Sequence, residues 1–371
     1  MELIDISMLS ILHDNPHSIV NNSYRELLIT QLKINEDGIN KLDDMLKSLN
    51  FVRSMNTFIS TYEEQISIRP DMIEHIKYLQ NIDQPQQRTQ EWYDFRYNHI
   101  TASNAWKAYS TKEKVKNQLI YEKCKPMDTS KYNSSLTETP MSWGHKYEHI
   151  TIQLYELLND TTISEFGCIE HPEHTFLAAS PDGIVTGNNN FGRMIEVKNV
   201  VSRVITGIPK EDYYIQMQLQ MEVCNLDECD FVETKFVEYD GYNEYMEDGS
   251  GCFTCDQKRK GIIKVYVNNN DFVYDYMDLS CTNVEEWLDE ERTEYEWFKN
   301  VYWKLEVYSC VYVPRCKLWF NKTLEEIKTI WDIILKERDS GEYHSRQPTK
   351  RIKKEVINLN ECLIQFNDIT S

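Results

Sequence analysis

Hydrophobic residues recur at helical spacing through much of the first eighty residues of the chain. Leucines and isoleucines between positions 27 and 49 lie mostly three or four residues apart, and Asp37-Gly38 interrupts them. A second amphipathic stretch surrounds Ile76 and Leu79. Gln84-Pro85-Gln86-Gln87 is polar and contains a proline, which is typical of a linker. The pattern predicts a helical N-terminal extension over residues 1–84.

After this linker the pattern changes to helices alternating with short apolar runs. Helical spacing covers residues 91–106, 142–158 and 212–224. Runs rich in β-branched and aromatic residues predict strands at 163–169, 175–179, 194–197 and 231–239. This order predicts an α/β (α+β) fold in which helices flank a mixed central sheet.

The C-terminal third predicts a hairpin, two helices and a tail. Apolar runs at 261–267 and 272–276 flank an Asn-rich turn, and helical spacing continues over 285–308 and 324–338. We therefore divide the chain into the extension 1–84, a domain over 85–345 and a basic, flexible tail over 346–371. The domain has a core at 88–239 and a hairpin and helices at 261–338.

The charge balance limits the possible partners. The 371 residues include 40 basic and 60 acidic side chains, a formal net charge of −20. Such acidity opposes indiscriminate binding to nucleic acids or anionic membranes, so a polyanion must be held locally, by basic side chains or metal ions. The acidic N-terminus and the lack of a long apolar run predict a cytosolic protein without a membrane span.

Two carboxylates and a lysine lie at neighbouring strands of the predicted sheet. Asp182, in Ser180-Pro181-Asp182-Gly183, follows one strand, and Glu196 lies within the next. Glu196 and Lys198 are two residues apart, so they project from the same face of that strand. Carboxylates that hold Mg²⁺ or Mn²⁺, with a nearby cation, are the groups that phosphodiester hydrolysis requires. Glu-Val-Lys alone would fit a half-buried strand with a surface salt bridge, but its position downstream of Pro-Asp-Gly favours a metal site.

Further motifs lie on both sides of these two segments. Upstream lie residues 88–92, Arg96, Ile100-Thr101-Ala102-Ser103 and Trp143-Gly144-His145-Lys146-Tyr147-Glu148, and downstream lies the Gln-rich run 214–221. The combination resembles the PD-(D/E)xK nuclease superfamily. More closely, it resembles the lambda-exonuclease-like, YqaJ-type viral recombinase nucleases over residues 88–239.

The resemblance implies roles for ten positions. Asp182 and Glu196 would be metal ligands together with the Val197 carbonyl. Lys198 would be the catalytic lysine. Glu148 would bind or support the metal through water, and Gln218 would line the site from the Gln-rich helix. The residues implied for DNA and for a terminal 5′-phosphate are Arg96, Ser103, Ser180 and Gln216. Arginine and serine supply the charge and donors that a phosphate dianion requires.

The resemblance also implies an activity and partners. The activity is the Mg²⁺- or Mn²⁺-dependent degradation of double-stranded DNA ends in the 5′-to-3′ direction. It would produce 3′ single-stranded tails for the recombination or repair of a viral genome. The implied partner is a single-strand annealing protein, and the implied oligomer is a ring trimer. The alternatives are an endonuclease on the same core, or a catalytically silent DNA-binding scaffold. Intact Asp182, Glu196 and Lys198 favour an active enzyme.

Two weaker signals remain. Six lysines between positions 107 and 125 alternate with aromatic residues, which predicts a DNA-facing lip. Cys252 and Cys255 have the spacing of zinc ligands, but a second pair with this spacing does not occur, so free thiols are favoured.

Overall fold

The computed structural model describes residues 70–85, 89–126, 140–268, 271–290 and 294–348. The helices expected within residues 1–69 and the tail beyond residue 348 lie outside these ranges. No helix of the described ranges is long and apolar enough to cross a membrane.

Nine helices, one short 3₁₀ helix and ten strands make up the described part of the chain. The helices are α1 (Pro70–Asn81), α2 (Gln90–Tyr97), α3 (Ala102–Tyr109), α4 (Glu113–Cys124), α5 (Pro140–Asn159), α6 (Glu211–Cys224), α7 (Tyr242–Glu247), α8 (Val284–Asp289), α9 (Lys317–Ser340) and the 3₁₀ helix Glu342–Arg346. The strands are β1 (Ile100–Thr101), β2 (Ile163–Ser164), β3 (Ile169–Glu170), β4 (Leu177–Ala179), β5 (Gly183–Val185), β6 (Met194–Asn199), β7 (Glu228–Glu238), β8 (Lys260–Asn268), β9 (Asp271–Tyr276) and β10 (Glu296–Pro314).

The strands form two sheets. A seven-stranded sheet has the order β2-β5-β6-β7-β10-β8-β9, and a three-stranded sheet has the order β1-β4-β3. β6 and β7 run parallel to each other, whereas the other neighbours in the large sheet are antiparallel. The expected mixed sheet flanked by helices is confirmed.

Helix α6 covers the sheet beside the strands that carry the candidate site. Most of its side chains are buried, because it packs against β4 and β7 on one side and against α3 and α9 on the other. Its core residues include Met217, Leu219 and Met221. Asn225 ends the helix in the left-handed conformation that C-terminal caps favour. Because α6 is packed on both sides, its polar side chains are held in fixed directions.

The prediction of a helix over residues 285–308 is wrong. Among the described residues of this stretch only the short α8 is helical, and residues 296–314 form the longest strand that the structure describes. One half of β10 pairs with β8 and the other half with β7. Its many aromatic and β-branched residues, Val301 and Trp303 among them, pack in the core of the sheet, and this packing outweighs the helical spacing of the acidic stretch.

The predicted boundary near residue 84 falls within packed structure. Ile76 and Leu79 of α1 are buried in the main core, and the His75 ring donates to the Cys224 carbonyl at 2.7 Å. The side-chain carbonyl of Gln84 accepts a hydrogen bond from the Gly167 backbone at 2.5 Å. Helix α1 therefore packs as part of the main core rather than as a separate extension.

At the other end, Arg346 does not belong to a loose tail. Its guanidinium contacts the buried carboxylate of Glu337 through two nitrogens, at 2.5 and 2.8 Å. The packed structure therefore continues at least to this residue.

Candidate active site

Asp182 lies in the tight turn between β4 and β5. Gly183, which follows it, pairs with Ile195 of β6. A Cβ at Gly183 would lie 2.3 Å from the Ile163 side chain, so glycine is required for this close approach. The turn brings the Asp182 carboxylate to β6, where Oδ2 accepts a hydrogen bond from the Val197 N–H at 2.7 Å.

Glu196 lies next to this bond and is fully buried. Its Oε1 contacts the ammonium group of Lys198, in agreement with the shared strand face expected from their spacing. Its Oε2 accepts a hydrogen bond of 2.8 Å from Nε2 of Gln220. The structure thus brings Asp182, Glu196 and Lys198 together, from a turn and the strand β6.

The charges of this cluster perturb one another. Burial raises the pKa of Asp182 well above its usual value, and the carboxylates of Glu196 and Glu148 raise it further against the effect of Lys198. Burial alone would lower the pKa of Lys198, but the carboxylates of Glu196 and Asp182 outweigh it and raise that pKa. The lysine is therefore a cation in this arrangement, and the carboxylates repel one another.

Glu148 is held at the site by the register of α5 against β6. The side-chain amide of Asn199, at the end of β6, donates to the Gly144 carbonyl at 2.7 Å. Its Oδ1 accepts from the hydroxyls of Thr151 and Thr234, each at 2.7 Å. This anchor fixes the helix one turn before Glu148, which explains how the Trp-Gly-x-x-Tyr-Glu segment directs an acid to the strand.

The Gln-rich helix contributes a different glutamine from the one expected. Gln218 points away from the carboxylates: it donates to the Pro314 carbonyl at 2.8 Å and accepts from the Cys316 N–H at 2.6 Å. Gln220 instead binds Glu196 and the Ser180 carbonyl, the latter at 3.1 Å. Gln216 is partly exposed and lies one turn earlier on the same helix face as Gln220. Gln216 and Gln220 are four residues apart in the sequence, and this spacing was the signal that could have identified the helix face that is directed to Glu196.

An open cleft of about 1100 Å³ gives access to the cluster. Glu148, Asp182 and Lys198 line one part of it, and His145 and the bare backbone of Gly144 lie beside them. Other wall residues come from outside the strands: Gln84, Pro85, Glu165, Phe166, Gly167, Arg203, Lys210 and Tyr213. The cleft is wide and polar enough for an extended polyanion.

The expected phosphate pocket is partly assembled. Arg96 stacks on the Trp92 ring, 4.5 Å from its centre, and Nη2 donates to the Ser103 hydroxyl at 3.3 Å. Strands β1 and β4 are parallel, so the segments that follow them, which carry Ser103 and Ser180, begin at the same edge of the small sheet. Helix α3 begins at Ala102 with Thr101 as its N-cap, so Ser103 lies inside the first turn and does not cap it.

The expected DNA-facing lip is smaller than the sequence indicates. Lys107 forms an ion pair of 2.6 Å with Glu122. Lys123 is buried, and its ammonium donates to the Arg96 carbonyl at 2.5 Å. Burial, with the charges of Arg96 and Arg338, lowers the pKa of Lys123 to about 7. The exposed lysines of this stretch are Lys112, Lys114 and Lys125.

Within the described residues, no group of three or more His, Cys, Asp or Glu side chains forms a ready-made metal cage. Cys252 lies against the Cys281 carbonyl at 3.1 Å, and Cys255 is exposed. Asp182 and Glu196 supply the oxygen donors that Mg²⁺ prefers, and Mg²⁺ is commonly held by one or two carboxylates together with water and substrate phosphates. The donor set therefore fits a magnesium ion bound jointly with a substrate.

Comparison with known proteins bears on the family. Residues 91–227 match the family model of the YqaJ-like viral recombinase domain. The resemblance inferred from the motifs is thereby confirmed for this part of the chain. The uncharacterized protein R354 of Acanthamoeba polyphaga mimivirus is 25% identical over 395 residues, which cover 88% of this chain and 69% of that protein.

The solved structures to which the chain is similar include two exonucleases. The alkaline exonuclease LHK-Exo of Laribacter hongkongensis is 17% identical, with a TM-score of 0.41 over 69% of this chain and 98% of that one. A phage-related exonuclease from Haemophilus somnus 129PT is 13% identical, with a TM-score of 0.36 over 65% of this chain and 94% of that one.

Proposed function

We propose that this protein is a metal-dependent DNA exonuclease that degrades one strand of a duplex from its 5′ end. The product would be a 3′ single-stranded tail for recombination or repair of a viral genome. The observation that carries the proposal is the convergence of Asp182, Glu196 and Lys198 at an open cleft. The YqaJ-like match over the same residues supports it.

The chemistry of each group follows from its place. When bound between Asp182 and Glu196, Mg²⁺ or Mn²⁺ would polarise the scissile phosphate and lower the pKa of an attacking water. The Val197 carbonyl is proposed as a third ligand. Lys198, a cation next to both carboxylates, orients that water and offsets the negative charge that develops on the phosphate. Gln220 orients the Glu196 carboxylate from α6, and Glu148 of α5 is proposed to bind or support the metal through water.

Arg96, Ser103 and Ser180 are proposed to bind the terminal 5′-phosphate. The Arg96–Ser103 contact supports this role, because it directs a guanidinium and a hydroxyl to the same point. A phosphate dianion binds such donors strongly. Anchoring the 5′ end in this way would favour cutting from ends over internal cutting.

Two further parts of the proposal concern partners. A 3′ tail is the substrate of a single-strand annealing protein, so such a protein is the expected functional partner. A ring trimer around the duplex would keep the enzyme on one strand through successive cuts. Both follow from the family resemblance and are tested by co-purification and by the mass of the protein in solution.

The deciding experiment compares linear duplex DNA with covalently closed circular DNA. With Mg²⁺, the protein should release nucleotides from the 5′ strand of linear duplex, leave the 3′-terminated strand intact, and spare covalently closed circles. Chelation by EDTA should stop the reaction. Rapid cutting of closed circles would instead favour an endonuclease on the same residues, and the absence of any Mg²⁺-dependent cleavage would favour a silent scaffold.

A further inference from the structure

Three cations surround one aromatic ring in the wall of the cleft. Lys198 Nζ, Arg203 Cζ and Lys210 Nζ lie 5.2, 5.6 and 5.9 Å from the centre of the Tyr213 ring. All four side chains line the cleft that contains Asp182. Because the ring is surrounded by cations, its role is to hold positive charge at this wall through cation–π contacts.

The three cations differ in how far their charge is already neutralised. Lys198 contacts Glu196, and Arg203 contacts Glu233 through Nη2. Lys210 is exposed and forms no ion pair with the described residues. An arginine has five N–H donors, so the guanidinium of Arg203 keeps donors for a second anion after Glu233 has been bound. The wall therefore carries positive charge that the protein itself does not use.

The acids next to Lys210 do not cancel this charge. Asp212 accepts a hydrogen bond of 3.1 Å from the backbone N–H of Tyr213, at the first turn of α6. Its carboxylate thus interacts with the positive end of the helix. On a chain of net charge −20, a cationic wall within the cleft is a local exception to the acidity of the protein.

Glu233 fixes Arg203 to the same frame as the carboxylates. It lies on β7 opposite Lys198 of β6, with 1% of its surface exposed, and its Oε2 has no hydrogen-bond partner in the described structure. Burial raises the pKa of Glu233, whereas the neighbouring Arg203 lowers it. The Arg203 side chain is thus anchored on the strand next to the one that carries Glu196 and Lys198.

We propose that Arg203 and Lys210 form a second phosphate-binding site, which holds a backbone phosphate of the DNA strand next to the phosphate being cut. This inference rests on the proposed function. A strand that enters the cleft and reaches Asp182 passes this wall, because Asp182, Arg203 and Lys210 line one cavity. The ligand is a phosphodiester rather than a base, since the Tyr213 ring is engaged by cations and the donors recognise charge alone. Binding at this site is accordingly independent of DNA sequence.

Lys210→Gln is the direct test, because Lys210 is exposed and its replacement does not disturb the core. Binding of a labelled 5′-phosphorylated duplex is measured by fluorescence anisotropy between 50 and 200 mM NaCl, with Ca²⁺ replacing Mg²⁺ to prevent turnover. We expect Kd to rise several-fold and the slope of log K against log salt to fall by about 0.9, the value for one lost phosphate contact. Lys328→Gln, at an exposed position on α9, is the matched control and should match the wild type. An unchanged Kd and slope for Lys210→Gln would overturn the proposal.

Arg203 is tested together with Glu233. Arg203→Gln alone leaves the Glu233 carboxylate without its partner. If Arg203 merely neutralises Glu233, adding Glu233→Gln should restore the wild-type KM, since both charges are then removed together. If Arg203 binds phosphate, the double variant should keep a KM raised about tenfold, as expected for a lost charge-assisted contact. Recovery of the wild-type KM would remove Arg203 from the site.

These outcomes are separable from failure of the proposed function. A wild-type protein that binds duplex but does not cleave it would refute the nuclease proposal and leave the salt-slope test valid. A wild-type nuclease whose Lys210→Gln variant is unchanged would refute only the second phosphate site.

Discussion

The carboxylate of Asp182 accepts a hydrogen bond from the backbone N–H of Val197, the residue between Glu196 and Lys198. A turn that precedes β5 is thereby joined to the middle of β6. Because this bond involves the Val197 backbone, the position of Asp182 depends on strand pairing rather than on its own loop. The two carboxylates should therefore stay in place when one of them is neutralised.

The first prediction follows from this arrangement. Asp182→Asn and Glu196→Gln each keep the shape of the side chain but remove a charged metal ligand. We expect Mg²⁺-dependent DNA cleavage to fall at least about a hundredfold, while the melting temperature changes by only a few degrees. The exposed Asp332 of α9 provides the control, since Asp332→Asn should leave the rate unchanged. Normal turnover in either site variant would refute the metal mechanism.

Lys198→Met separates metal binding from hydrolysis. The lysine contacts Glu196 but supplies no oxygen donor, so its loss should preserve Mg²⁺ binding measured by calorimetry. The rate constant for cleavage should fall by about a hundredfold or more, because the cation next to the reacting phosphate is lost. If Mg²⁺ affinity disappeared together with activity, Lys198 would have a structural role instead.

Gln218 and Gln220 form a matched pair with opposite expected effects. Gln218→Leu removes two buried hydrogen bonds to the Pro314 and Cys316 backbone, and should lower the free energy of unfolding by about 2–3 kcal/mol with little effect on kcat. Gln220→Leu removes the donor that orients Glu196, and should lower kcat about tenfold. Thermal unfolding and steady-state cleavage are measured for both variants. The reverse pattern would return Gln218 to the site.

The glutamines also illustrate how much could be predicted from the sequence. The short motifs identified the carboxylates and the lysine, because strand spacing and family order each indicate the same three residues. Which face of α6 points to Glu196 depends on how the helix packs against β4 and β7, and local sequence does not determine that packing. For the same reason Lys123 could be predicted as a surface lysine, although its helix buries it beneath Arg96.

Arg96 should discriminate between DNA ends. A charge-assisted contact contributes about 1.5–3 kcal/mol, so the wild type should degrade 5′-phosphorylated duplex roughly tenfold or more faster than 5′-hydroxyl duplex where end binding limits the rate. Arg96→Ala should remove most of this preference and lower activity on the hydroxyl end much less. Equal initial rates on the two ends in the wild type would exclude a terminal phosphate pocket.

The lowered pKa of Lys123 should make the free energy of unfolding depend on pH. Its pKa is about 7 in the folded protein and about 10.4 in the unfolded chain, so the unfolded state binds more protons between these values. Burial of the protonated amine destabilises the folded protein most below pH 7. This destabilisation becomes smaller as the pH rises from about 7 to 10, so the free energy of unfolding increases over that range. Lys123→Met should gain more stability relative to the wild type at pH 6 than at pH 9 in urea unfolding. An equal difference at both pH values would show that the amine titrates normally.

The pairing of β10 with β7 and β8 affects the folding of the segment that matches the family model. The matched segment ends at residue 227, before β7 and β10 begin. A fragment that stopped there would leave the β7-facing edge of β6 unpaired, and buried residues such as Ile195 and Val197 would become accessible to other chains. The segment that carries the candidate site is thus not an autonomous folding unit. Its exposed edge is covered by β7, which begins at the next residue, and β7 is in turn paired with β10, encoded some seventy residues later. Insertions and truncations in the C-terminal third should therefore act as mutations of the sheet that carries the candidate site.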